Sequence, residues 1–377
     1  MLPSLCRRAR ALTSFGILFF SSLILASSLI LASPALLAAA PEGDKQTPPE
    51  AAPYTLAGID VFGAKKTPES TILGILGIKE GATITPSLVT ELGDKLKKSG
   101  KFAYTNISAA DYGNHKSYLT VDVVEKGDEQ RFKANPAPTG NVAVPQDILD
   151  WLKRYEKASF QMFQVNPRRM RDINDGHYLD SDPGLREYEE KMLETVPENY
   201  DILVKGLRED KDPVKRASCA TLLGWAKDKK AVILPLEDAL KDPDSQVRNN
   251  AARSLVPIAY LSAHTAVPFP IQPILDMLQY PAAADRNKAV SILLQLASDP
   301  ANHQAIRSQG GGVLVQLAGA KHPAQREHSL TLLTVVTGES YGKDVDKWRA
   351  WWKAQQAGKW SPPKPPEPTP PSKTSKT

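Results

Sequence analysis

Histidines, cysteines and clustered carboxylates are the side chains that could carry metal or nucleophilic chemistry. None stands at a spacing that does so. The histidines are His115, His177, His264, His303, His322 and His328, and no two form the H-E-x-x-H spacing that sets two ligands on one helix face. His322 and His328 lie beside one helical segment and are expected at the surface. The run from Asp172 through Asp175, Gly176, His177 and Asp180 to Asp182 is the densest in acid. It lacks the alternating oxygens and the twelfth-position Glu of a calcium loop, and reads as a solvated interhelix loop. No G-x-S-x-G occurs, and Gly310-Gly311-Gly312 falls between helices, where a tight turn is needed. Cys6 and Cys219 are the two cysteines. Cys6 belongs to the apolar N-terminal segment, so no internal disulfide is expected. Cys219, in a helical pattern, reads as a small buried hydrophobe. The expectation is a chain with no catalytic residue, no metal ligand and no cofactor.

Location is written at the start. Arg7, Arg8 and Arg10 precede an apolar run from about Phe15 to Ala40 that ends in small residues. A basic start, an apolar middle and a small-residue end make a bacterial export signal. Ala38-Ala39-Ala40 and Ser33-Pro34-Ala35 are two cleavage options, and residues 11–40 are also long enough to remain as an inner-membrane anchor. The rest of the chain is expected in the periplasm or outside the cell. Beyond this segment 44 basic residues face 42 acidic ones, which is not a nucleic-acid binder's balance.

The 377 residues allow two or three domains. Residues 41–53, rich in Pro and acid, read as a linker. From Tyr54, Leu56 and the Ile59/Val61 alternation predict a strand ended by Gly63. Thr67-Pro68-Glu69 starts a short helix with Ile72, Leu73 and Leu76 on its buried face, and Thr85-Pro86 starts a second with Val89, Leu92 and Leu96. Phe102–Ile107 and Tyr118–Val123 follow as two strands, giving the order β-α-α-β-β. With I59-D-V-F-G63, I72-L-G-I-L-G-I78, S99-G-K-F-A-Y-T-N-I107 and L119-T-V-D-V-V-E125 in place, residues 54–127 resemble a POTRA domain. The resemblance implies a periplasmic binding module that engages protein partners by adding a strand to an open sheet edge.

After a second linker over 128–145, residues 146–200 read as helical and residues 201–356 as a helical repeat. L207-R-E-D-K-D-P-V-K215 aligns with L240-K-D-P-D-S-Q-V-R248 and L278-Q-Y-P-A-A-A-D-R286, and a fourth copy carries Arg326. Ser218, Ala251, Ala289 and Ser329 stand three positions past the base, and Leu222, Leu255, Leu293 and Leu333 seven past it. A period of this length built from helices is that of an α-solenoid, whose units bury their apolar faces on one another. D-P-x-x-x-V-R-x-x-A-A resembles the HEAT repeat. That resemblance implies that Glu209 with Lys215 and Asp242 with Arg248 form an inter-repeat polar ladder. Trp348, Trp351 and Trp352 share one helix face and are expected to cap the array. Residues 357–377 read as a Pro- and Lys-rich disordered tail.

The sequence therefore points to an α+β chain, a POTRA-like domain followed by a mainly α HEAT-type solenoid. Its expected role is a non-catalytic adaptor or scaffold with protein partners in the cell envelope and no nucleic acid. The competing reading is an exported enzyme or small-ligand binder with its site in 141–200.

Overall fold

The computed structural model describes residues 54–112, 115–166 and 170–363. The export signal or anchor, the first linker and most of the tail lie outside the described residues. Among the described residues, no helix is long and apolar enough to cross a membrane.

The N-terminal unit is a four-stranded sheet with two helices on one face. Its elements are β1 (Tyr54–Phe62), α1 (Glu69–Leu76), β2 (Thr83–Ile84), α2 (Pro86–Lys98), β3 (Phe102–Asp111) and β4 (Lys116–Glu125), in the spatial order β2-β1-β4-β3. β1 and β4 run parallel, and β3 runs antiparallel to β4. The β-α-α-β-β expectation lacked β2, whose two residues pair antiparallel with the start of β1 and are too few to show a period. A bulge between Leu56 and Gly58 restores the alternation that their spacing breaks, so Leu56, Ile59 and Val61 all face the helices. They pack there on Ile72, Leu76, Leu92 and Leu96, with Leu119, Val121 and Val123 of β4.

The remainder is helical. α3 (Gln146–Val165) and α4 (Pro183–Glu198) precede four repeat pairs. These are α5 (Tyr200–Glu209) with α6 (Pro213–Leu222), α7 (Lys229–Ala239) with α8 (Ser245–His264), and α9 (Gln272–Met277) with α10 (Ala283–Leu296). In the fourth, α11 (His303–Ala305) runs through a π turn into α12 (Gly311–Ala318), which precedes α13 (Pro323–Thr337). α14 (Val345–Gln356) packs on α12 with Trp348 and Trp351 buried. The helices α6, α8, α10 and α13 stack in succession.

Two expectations are overturned here. Residues 172–182 are not a solvated loop: β5 (Arg171–Asn174) and β6 (His177–Asp180) form a hairpin, and Asp180 is buried. Residues 128–145 are not a free linker, because their backbone is bound along the solenoid. Asn135 N–H donates to the Lys241 carbonyl at 2.8 Å, Gly140 N–H to Glu209 at 2.9 Å, and Lys211 N–H back to Gly140 at 2.8 Å. Val142 and Val144 enter the solenoid core. Prolines interrupt both periodicities in this strap without freeing it, since its polar backbone finds partners on the repeats.

Candidate functional site

Each repeat carries one arginine near the start of its second helix, and the arginines build a ladder. Arg216 donates from Nε and Nη2 to the two carboxylate oxygens of Asp242 at 2.8 and 2.9 Å. Arg248 turns the same pair of nitrogens to a single oxygen of Asp285, at 3.0 and 2.9 Å. The Nη1 groups of Arg216, Arg248, Arg286 and Arg326 all donate to backbone carbonyls six residues back, at Asp210, Asp242, Tyr280 and Ala320. Repetition of one hydrogen bond at one spacing makes these four arginines equivalent.

That equivalence corrects the pairs read from the sequence. Glu209 is exposed, and its neighbour Asp210 is buried. Lys215 pairs with Asp210 at 2.8 Å rather than with Glu209. Asp242 and Arg248 do not share a side-chain bond: each pairs with a different repeat. The alignment fell one residue short because Lys215 and Arg216 are both basic and Leu207 stands nine residues before its ladder arginine, where Leu240 and Leu278 stand eight before theirs. Cys219 and Leu223, both buried, therefore occupy the places of Ala251 and Leu255. Burial and the nearby Asp210 push the Cys219 thiol up to about 12, and the side chain packs in the solenoid core.

The third rung leaves the solenoid. Arg286 Nη1 donates to Asp122 of β4 at 2.5 Å, and both side chains are almost wholly buried. The second oxygen of Asp122 accepts the Ala283 N–H at 3.1 Å. Asp60 of β1 does the same one repeat on, accepting from Lys321 N–H at 2.7 Å and His322 N–H at 3.0 Å. First-turn N–H groups need acceptors. Asp212 and Asp244 cap α6 and α8 from within the solenoid. Ala282 and His322 give α10 and α13 no side-chain cap. The sheet supplies carboxylates there: Asp122 accepts the first helical N–H of α10, and Asp60 accepts the two N–H groups just before Pro323 of α13, where the helix dipole favours negative charge.

Packing completes the junction. Phe62 lies under the Arg286 guanidinium at 4.2 Å and belongs to the solenoid core. Gly58 permits the approach, since a Cβ there would stand 2.7 Å from the Lys321 Cβ. His322, expected at the surface, is buried against Tyr112 and Tyr118, and this burial lowers its pKa. No sequence signal marked Asp60 or Asp122. Polar residues alternating with apolar ones look the same whether they face water or another domain.

The helix face of the sheet is thus filled by α1 and α2, and the opposite face by the solenoid. One edge stays open. β3 pairs with β4 through nine of its ten residues and with no other strand among the described residues. Tyr104 on it is 44% exposed, and the last turn of α2, with Lys97 and Lys98, leads into its start.

Residues 141–200 contain a buried polar network. Glu189 accepts from the Tyr155 hydroxyl at 2.7 Å, from Arg171 at 3.0 Å and from the Asp180 N–H at 2.5 Å. Both its oxygens are held by donors that tie α3, α4 and the hairpin together. Among the described residues, no group of three or more His, Cys, Asp or Glu side chains could hold a metal.

A family model of POTRA, described as a surface antigen variable number repeat, matches residues 54–126, and one of HEAT repeats matches residues 200–290. Among solved structures, an engineered protein of the Northeast Structural Genomics Consortium is 18% identical, with 48% of this chain and 94% of that chain covered and a TM-score of 0.32. No curated protein matches the chain. Residues 54–126 are thus a POTRA domain, followed by HEAT repeats over residues 200–290.

Proposed function

We propose that this protein is an exported, non-catalytic adaptor of the bacterial cell envelope, binding one protein partner at the β3 edge and a second on the solenoid. The observation that carries the reading is the division of the sheet's surfaces. Both faces are committed within the chain, while the ten backbone residues of β3 are left with one side unpaired. An unpaired edge is a template for another chain, and backbone hydrogen bonds supply the affinity. Export rests on Arg7, Arg8, Arg10 and the apolar run behind them, which acts as a cleaved signal or as an inner-membrane anchor.

Adjacent residues of β3 point their N–H groups to opposite sides. Asn106→Pro and Ile107→Pro therefore differ in kind: one removes a bond to β4, and the other a bond offered outward. The stable member of this pair should lose capture of the partner when a photo-crosslinker at Tyr104 is used in intact envelopes. Unchanged capture in both variants would end the strand-addition reading. An export-dependent reporter enzyme fused after Thr377 should be active, and its inactivity would end the location.

A further inference from the structure

Ladder arginines in this protein take carboxylates side-on, through the edge formed by Nε and Nη2. Asp242 fills that edge of Arg216, and Asp285 fills that of Arg248. Arg286 is the third in the series. Its Nη1 is spent on Asp122 and the Tyr280 carbonyl. Its Nε and Nη2 are buried and meet no acceptor among the described residues. The next repeat offers no acid here, because Gln325 stands where Asp285 stands one repeat earlier, immediately before the ladder arginine.

Arg286 and the Phe62 ring beneath it line a cleft of about 280 Å³ between the two domains. Its other charged walls are Arg131 and Lys65, which share the one carboxylate of Asp128 behind them and so leave the mouth a net positive charge, and no carboxylate lines the cleft itself. Gln279, Gln309 and Gln316 add amides, and Trp352 closes one side. The volume lies just below the range for small-molecule sites, roughly 300–1,000 Å³, which suits a small group or the end of a chain. A planar guanidinium edge matches a carboxylate in two parallel hydrogen bonds, better than it matches a tetrahedral anion's single oxygens in so narrow a space.

We propose that this interdomain cleft binds a carboxylate supplied from outside the chain, with the Nε/Nη2 edge of Arg286 as its anchor and Lys65 and Arg131 as the cationic mouth. The carboxylate belongs either to a small free acid or to the C-terminus of a bound polypeptide. Because the cleft's walls come from both domains, its occupant fastens the sheet to the third and fourth repeats.

Calorimetric titration of the exported chain with succinate, tri-alanine, tri-alanine amide and inorganic phosphate tests the assignment. Succinate alone binding identifies a small acid, and tri-alanine binding without its amide identifies a C-terminus. Lys65→Glu, at an exposed position, should weaken binding by about tenfold at low salt. Gln325→Glu supplies the acid from within, and should abolish binding while raising the melting temperature. Absence of binding by both carboxylates, equal binding of phosphate, or indifference to both substitutions would overturn the proposal.

Discussion

Asp122 of the POTRA sheet and Arg286 of the third HEAT repeat face each other at 2.5 Å with almost no access to water. The rung that should join two repeats joins two domains instead. Asp122→Ala leaves a buried guanidinium without its counter-charge and the Ala283 N–H without an acceptor. It should cost about 3–5 kcal/mol in urea unfolding, the range for one-sided removal of a buried pair. An Asp122→Leu, Arg286→Met double variant should recover most of that loss.

Inside the solenoid, Leu255 is fully buried and Leu255→Ala should cost about 2–5 kcal/mol. Arg248→Ala should cost about as much, because its partner Asp285 is buried and would be left uncompensated. This differs from a solvated pair, whose loss is worth about 1 kcal/mol or less. Unfolding curves of the two variants decide between the cases.

Stability should depend on pH through His322. Burial holds its folded pKa below the unfolded value of about 6.5, so below that pH the unfolded chain binds more protons. Its contribution is complete above 6.5 and is lost as pH falls from there toward the folded pKa. His322→Gln should flatten this part of the stability profile, measured as the urea midpoint between pH 8 and pH 5.

The strap should be dispensable for docking once docking has occurred. A protease site placed between Pro136 and Pro138 should, after cleavage, yield two pieces that co-elute in gel filtration. Neither Asp122 with Arg286 nor Asp60 with His322 involves the strap. Separation of the pieces would show that tethering, not the junction, holds the domains together.

The strands and helices were legible because their apolar periods are intact, at 2 along β4 and 3.6 along the repeats. Leu255, Leu293 and Leu333 were placed from spacing alone and are buried. The hairpin over 171–180 and the bound strap were not legible, and neither were three further features. β2 is too short for a period, and the Lys215–Arg216 doublet concealed the register of the first repeat. The junction was hidden for a deeper reason: Asp60 and Asp122 occupy the positions of a strand's polar face. A strand's own pattern says which residues leave its core, not what receives them. The one available hint lay in the solenoid, where Ala282 and His322 replace the capping Asp of earlier repeats.

Asp122 and Arg286 are 164 residues apart in the chain, and Asp60 and His322 are 262 apart. At about 5–20 residues per second, the ribosome needs roughly 8–30 s to make the first of these intervals. Through that time the sheet has its own core under α1 and α2 but nothing over its carboxylate face. The nascent protein is therefore bivalent before it is complete, with a polar face and an edge both open to whatever meets it first. Assembly order, rather than final affinity, sets which surface a helper protein can hold during synthesis.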